Sequence, residues 1–152
     1  KRVVRFDPLS PAAGQVRELV HTASGYAFTS EEQFRSVLRS MGVNADITDE
    51  TIFYGGMRNG RQCTRGMSAG ELGLPGREEL EALVAAGRKR LREAGKKPRY
   101  RVTSLSSYAL GRATSERHFI AILRGCGIEP VISRNVNGEI FGVVYIDHVS
   151  GC

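Results

Sequence analysis

Twice along the chain, apolar residues run first at helical spacing and then at strand spacing. Residues 29–43 read TSEEQFRSVLRSMGV, with Phe34, Val37, Leu38 and Met41 at i, i+3, i+4 and i+7. Residues 114–128 read TSERHFIAILRGCGI, with Phe119, Ile122, Leu123 and Cys126 at the same intervals. Each set forms one face of an amphipathic helix. Thr29 and Thr114 stand where an N-cap is expected, with acids in the first turn, and Thr29 with Glu32 fits a capping box. Gly42 and Gly127 stand where a glycine closes a helix in the left-handed conformation. The period then falls to two: Val43, Ala45, Ile47, a polar turn at 48–50, and Ile52, Phe53, Tyr54. The second copy gives Ile128, Pro130, Ile132, the pair Asn137-Gly138, and an apolar run over 140–146. Asn-Gly between apolar runs predicts a hairpin with a type I′ turn, both central residues at positive φ.

The two segments repeat at an offset of 85 residues, with seven of fifteen positions identical. A repeated helix-plus-β-hairpin unit predicts an α+β fold with small antiparallel sheets, each backed by its helix. The repeats span 29–62 and 114–148 of a single module, 1–152, and a basic helical connector spans 77–110. Within the connector, residues 77–94 carry an apolar stripe (Leu80, Leu83, Val84, Leu91, Ala94), acids first, bases last, and Gly95 as the stop. Pro98 predicts a break, with a short helix over 101–110. An opening helix is expected at 11–23, a turn at Arg58-Asn59-Gly60, a strand bulge or turn at Gly55-Gly56 and a loop over 66–75. Phe34, Phe53, Phe119 and Phe141 match repeat positions and read as core; Tyr54 and Tyr145 read as core or as stacking surfaces. Tyr100 and Tyr108 are candidate stacking platforms for unpaired bases.

The chain's 152 residues need neither disulfide nor metal to bury a core. Cys63, Cys126 and Cys152 are odd in number and widely spaced, which predicts reduced thiols and a cytoplasmic setting. No apolar run approaches a membrane span, no signal peptide is visible, and no membrane partner is expected. The chain begins at Lys1 and reads as a piece of a longer protein.

The charge is uneven. The net charge is +6, yet residues 88–101 alone carry +7, from Arg88, Lys89, Arg90, Arg92, Lys96, Lys97, Arg99 and Arg101 against Glu93. Concentrated basicity is the footprint of a polyanion-binding surface. Cations near a helix end also offset the macrodipole, but one or two suffice because that effect fades within a turn, and Lys96, Lys97, Arg99 and Arg101 lie beyond the predicted helix.

Catalytic chemistry is not legible. His21, His118 and His148 form no metal-ligand spacing, and no phosphate loop, dinucleotide fingerprint or nucleophile elbow occurs. Asp147 beside His148 reads as a charged pair at a strand end, and His118 as a surface histidine. The expectation is therefore a non-enzymatic module with no catalytic residue, no cofactor and no metal.

The stretch from Phe119 to His148, FIAILRGCGIEPVISRNVNGEIFGVVYIDH, resembles a segment of bacterial relaxases, the mobilisation proteins of conjugative and mobilisable elements. The likeness lies in the Phe-Ile-x-x-Leu helix, Gly-Ile, Arg134-Asn135, Gly138-x-Ile140-x-Gly142 and Tyr-Ile-Asp; residues 30–62 resemble the preceding region more loosely. The resemblance implies a region C-terminal to the nicking domain of a relaxase, without the tyrosine and histidine-bound metal that nick DNA. The function expected is a DNA-binding accessory module. Its candidate contacts are Arg88, Lys89, Arg92, Lys96, Lys97, Arg99, Arg101, Arg134 and Asn135, with Arg58, Arg61 and Arg65 as a second set. The alternative is a protein-interaction module assembling the transfer complex. A nuclease that borrows a metal through His118 or His148 is a third reading.

Overall fold

The computed structural model describes residues 4–151, and of Phe141 the backbone alone. The protein is α+β, and its chain divides into two compact units with the boundary between Arg92 and Glu93.

The first unit opens with α1 (Ala12–Ser24) and α2 (Glu31–Ser40). These lead into an antiparallel sheet of β1 (Val43–Ile47), β2 (Ile52–Arg58), β3 (Arg61–Gln62) and β4 (Met67–Ser68), in which β2 pairs with each of the others. The short α3 (Ala69–Leu72) and the long α4 (Arg77–Ala94) follow, with α4 ending two residues beyond the boundary. Pairing of Ala45 with Tyr54 and of Ile47 with Ile52 puts the apolar residues of β1 and β2 on one face. There they meet the stripe Phe34, Val37 and Leu38 of α2, with Met41 at its C-cap, all buried. Phe34 is fully enclosed, so its burial contributes on the order of 2–3 kcal/mol.

Close packing explains several glycines. Gly55 and Gly56 make neither bulge nor turn: β2 runs through them, and a Cβ on Gly56 would lie 2.2 Å from the ring of Phe6. Gly87 lets α4 lie against the backbone of Phe28, where a Cβ would come within 2.1 Å of the carbonyl oxygen. Phe53 is a correction to the expected core: it alternates to the outer face of the sheet and is exposed. Tyr54 is core, with its hydroxyl donating to the Pro75 carbonyl at 2.7 Å. The expected loop over 66–75 holds β4 and α3, capped by the Ser68 hydroxyl.

The second unit contains α5 (Lys97–Arg112), α6 (Glu116–Gly125) and the antiparallel pair β5 (Ile128–Arg134) and β6 (Ile140–Asp147). Ala109, Leu123 and Ile128 form its centre, flanked by Val102, Leu105, Phe119, Ile122 and Tyr145. α5 begins earlier than the proline suggested. Pro98 lies in its first turn, where the missing N–H has no intrahelical partner to lose.

Helix, glycine and hairpin follow in the same order in both units. Ser30 and Ser115, not the preceding threonines, are the N-caps, and their hydroxyls accept from the N–H of Gln33 and His118. The side chains of Gln33 and His118 reach back to accept from the N–H of Thr29 and Thr114. Gly42 and Gly127 have φ of 79° and 80°. The type I′ expectation moves, however. In the β2–β3 turn both Asn59 and Gly60 are at positive φ, whereas in the β5–β6 turn only Gly138 is. There the Gly138 N–H bonds to the Asn135 carbonyl, the mark of a four-residue turn closed by a left-handed glycine.

Candidate nucleic-acid interface

The cations of residues 88–101 separate into two groups once their partners are known. Arg88 donates to the Thr29 carbonyl at 3.1 Å and Arg90 to the Gly25 carbonyl at 2.8 Å, which fastens α4 to the loop before α2. Arg101 donates through Nε to the Asp147 carboxylate at 2.7 Å and through a terminal nitrogen to the Cys126 carbonyl at 2.8 Å. The other five, Lys89, Arg92, Lys96, Lys97 and Arg99, are exposed and have no hydrogen bond or ion pair among the described residues.

Asp147 is the buried anchor of the second unit, with no solvent exposure. Besides Arg101 it accepts from the Ser150 hydroxyl at 2.8 Å and the Val149 N–H at 3.0 Å. Burial pushes its carboxyl up. The bonds from Ser150, Arg101 and the backbone outweigh burial, and the group sits below the usual carboxylate range. Arg101 is thus held as a structural cation rather than offered to a ligand, and the Asp147 side chain pairs with Arg101.

Arg134 and Asn135 are also engaged. Arg134 pairs with Glu116 and donates to the Gly138 carbonyl, tying the hairpin end to the start of α6. The Asn135 side chain accepts from the N–H groups of Asn137 and Glu139 at 2.9 and 3.0 Å, so it shapes the turn. In the second candidate set, Arg58 and Arg61 are exposed on paired strands, while Arg65 is bound to Glu71.

The unpartnered cations differ in their electrostatic setting. Lys89 and Arg92 lie toward the C-terminal end of α4, where the macrodipole favours positive charge. Lys96, Lys97 and Arg99 stand at the N-terminal end of α5, whose first turn contains no acid and whose N-cap makes no side-chain bond. The α5 macrodipole disfavours cations there, while the C-terminal end of α4 at Ala94, just before Lys96, favours them. Tyr100 follows them, 75% exposed. Two turns on, the Arg112 guanidinium lies 4.6 Å from the Tyr108 ring centroid, so this second tyrosine is already stacked.

Beside these cations lies a groove of 380 Å³, lined by Pro98, Arg99, Val102, Thr103, Ser106 and Tyr145. Residues 98, 102 and 106 recur at helical spacing, a signal present in the sequence. That β6 brings Tyr145 against them is a tertiary fact no local pattern carries.

Among the described residues no group of three or more His, Cys, Asp and Glu side chains is placed to hold a metal ion, and no helix is long and apolar enough to cross a membrane. No protein-family model, curated protein or solved structure matches the chain.

Proposed function

We propose that this protein is a cytoplasmic DNA-binding accessory module, of the kind that holds DNA beside the nicking domain of a relaxase-type mobilisation protein. The observation that carries the reading is the cluster Lys96, Lys97 and Arg99. These cations are exposed and, among the described residues, without partners, and they stand at the start of a helix whose first turn contains no acid. Exposed cations that satisfy no internal group are those expected to serve a ligand. Phosphates would accept from them, and release of condensed counterions would drive association. Lys89 and Arg92 extend the same stretch of chain. Arg101, Arg134 and Asn135 hold the scaffold, and Arg88 fastens α4.

The test is charge reversal at the cluster. A Lys96→Glu/Lys97→Glu/Arg99→Glu variant is expected to lose more than tenfold in DNA affinity at about 100 mM salt, with its salt slope shallower by about two. An unchanged affinity in a folded variant would defeat the proposal.

A second reading, a protein-interaction module for the transfer complex, is favoured by one observation. The β5–β6 hairpin exposes Val136, Ile140, Val143 and Val144, and among the described residues neither of its edges has a paired strand. It predicts partner capture that survives nuclease digestion and changes little with salt.

A further inference from the structure

The groove beside α5 distinguishes kinds of polyanion. Pro98, Val102 and Tyr145 give it an apolar and aromatic lining, and Tyr145 packs against the centre of the second unit. Thr103 and Ser106 bring hydroxyls to it; the Ser106 hydroxyl donates to the Thr103 carbonyl and keeps its lone pairs for an incoming donor. Arg99 lines the same groove, with Lys96 and Lys97 preceding it in the chain. An apolar slot with one aromatic side chain, two hydroxyls and a cation at its side suits a flat, edge-polar ring carried on an anionic backbone. Its volume lies at the small end of ligand pockets, roughly 300 Å³ and upward.

We infer that this groove takes one unpaired base of a single-stranded nucleic acid, while Arg99, Lys96 and Lys97 contact the adjoining phosphates. The inference rests on the polyanion-binding reading above and adds strandedness to it. A duplex keeps its bases paired and stacked, and must pay for unstacking before one enters a slot. A single strand presents its bases freely, and stacking on an aromatic side chain tolerates any sequence.

The experiment measures fluorescence anisotropy of the full chain with four labelled probes of equal phosphate number. The probes are single-stranded DNA, RNA of the same sequence, duplex DNA and an abasic strand. The single strands are expected to bind about tenfold more tightly than the duplex and the abasic strand at the same salt. The DNA and RNA arms show which sugar the groove prefers, and tight binding of either supports the inference. Ser106→Leu, which fills the groove from a half-buried position without adding an aromatic ring, is expected to remove that advantage and leave duplex binding unchanged. If it melts early, Thr103→Leu fills the same groove from an exposed site. Equal binding of all four probes, unaltered by the filling variants, would overturn the base slot and leave the phosphate reading standing. Absence of binding to every probe at low salt would overturn both.

Discussion

Replacing Arg101 with methionine removes the cation from a buried pair and leaves most of the side chain's bulk. Asp147 then keeps its bonds from Ser150 and Val149 but loses the partner at 2.7 Å, while the Cys126 carbonyl loses a donor. Stripping one member from a fully buried ion pair costs about 3–5 kcal/mol. The Arg101 side chain is 34% exposed and three bonds to the carboxylate survive, so the expected cost is nearer 2–3 kcal/mol. A unit of about 60 residues has only roughly 3–9 kcal/mol in hand. Its melting temperature should fall by about 10–20 °C. Circular dichroism melts and urea titration at pH 7 measure this, and a cycle with Asp147→Asn should return a coupling of about 1–3 kcal/mol. A loss below about 0.5 kcal/mol for Arg101→Met would refute the assignment of Arg101 to the scaffold and return it to the candidate contacts.

Other consequences follow from the same geometry. Because the Asp147 carboxyl is held below its unfolded value, its contribution is complete above about pH 4 and fades as the pH falls through the lower folded value. Acid titration of the wild type should therefore show a loss in the second unit that Asp147→Asn lacks. Gly87→Ala, stabilising in most helices, should cost about 1–3 kcal/mol here because the new Cβ meets the Phe28 carbonyl at 2.1 Å; urea midpoints decide. Ser30→Ala and Ser115→Ala should each lower stability by about 1 kcal/mol, while Thr29→Ala and Thr114→Ala change it less, a ranking that thermal melts report.

Local pattern carried the secondary structure well where one rule acted alone. α4 combines an apolar stripe, graded charge and a stop glycine, and its bounds are those the stripe predicts. The errors arose where a residue type has two meanings. Proline breaks a helix interior but is at home in a first turn, so α5 begins at Lys97 rather than 101. Asn-Gly fits two hairpin geometries, and the one with both residues left-handed sits at 59–60 instead of 137–138. A Thr-Ser pair offers two N-caps, and serine takes the position in both units.

The candidate site was legible in composition but not in detail. A run of eight bases marks a basic stretch, yet nothing local reveals that Arg101 pairs with Asp147 across 46 residues, or that Arg88 and Arg90 reach carbonyls before α2. These partners are tertiary, and they leave five of the eight cations free of partners among the described residues. The groove escaped for the same reason, since Tyr145 meets α5 only through the packing of the second unit.

The most direct test of the account is the affinity of the purified chain for single-stranded DNA across a salt titration. Five cations on phosphates predict a slope of log affinity against log salt of about −3.5, set by roughly 0.7 counterions released per contact. A slope near zero, or no binding at low salt by a folded chain, would contradict the account and leave residues 88–101 as a solvated basic surface.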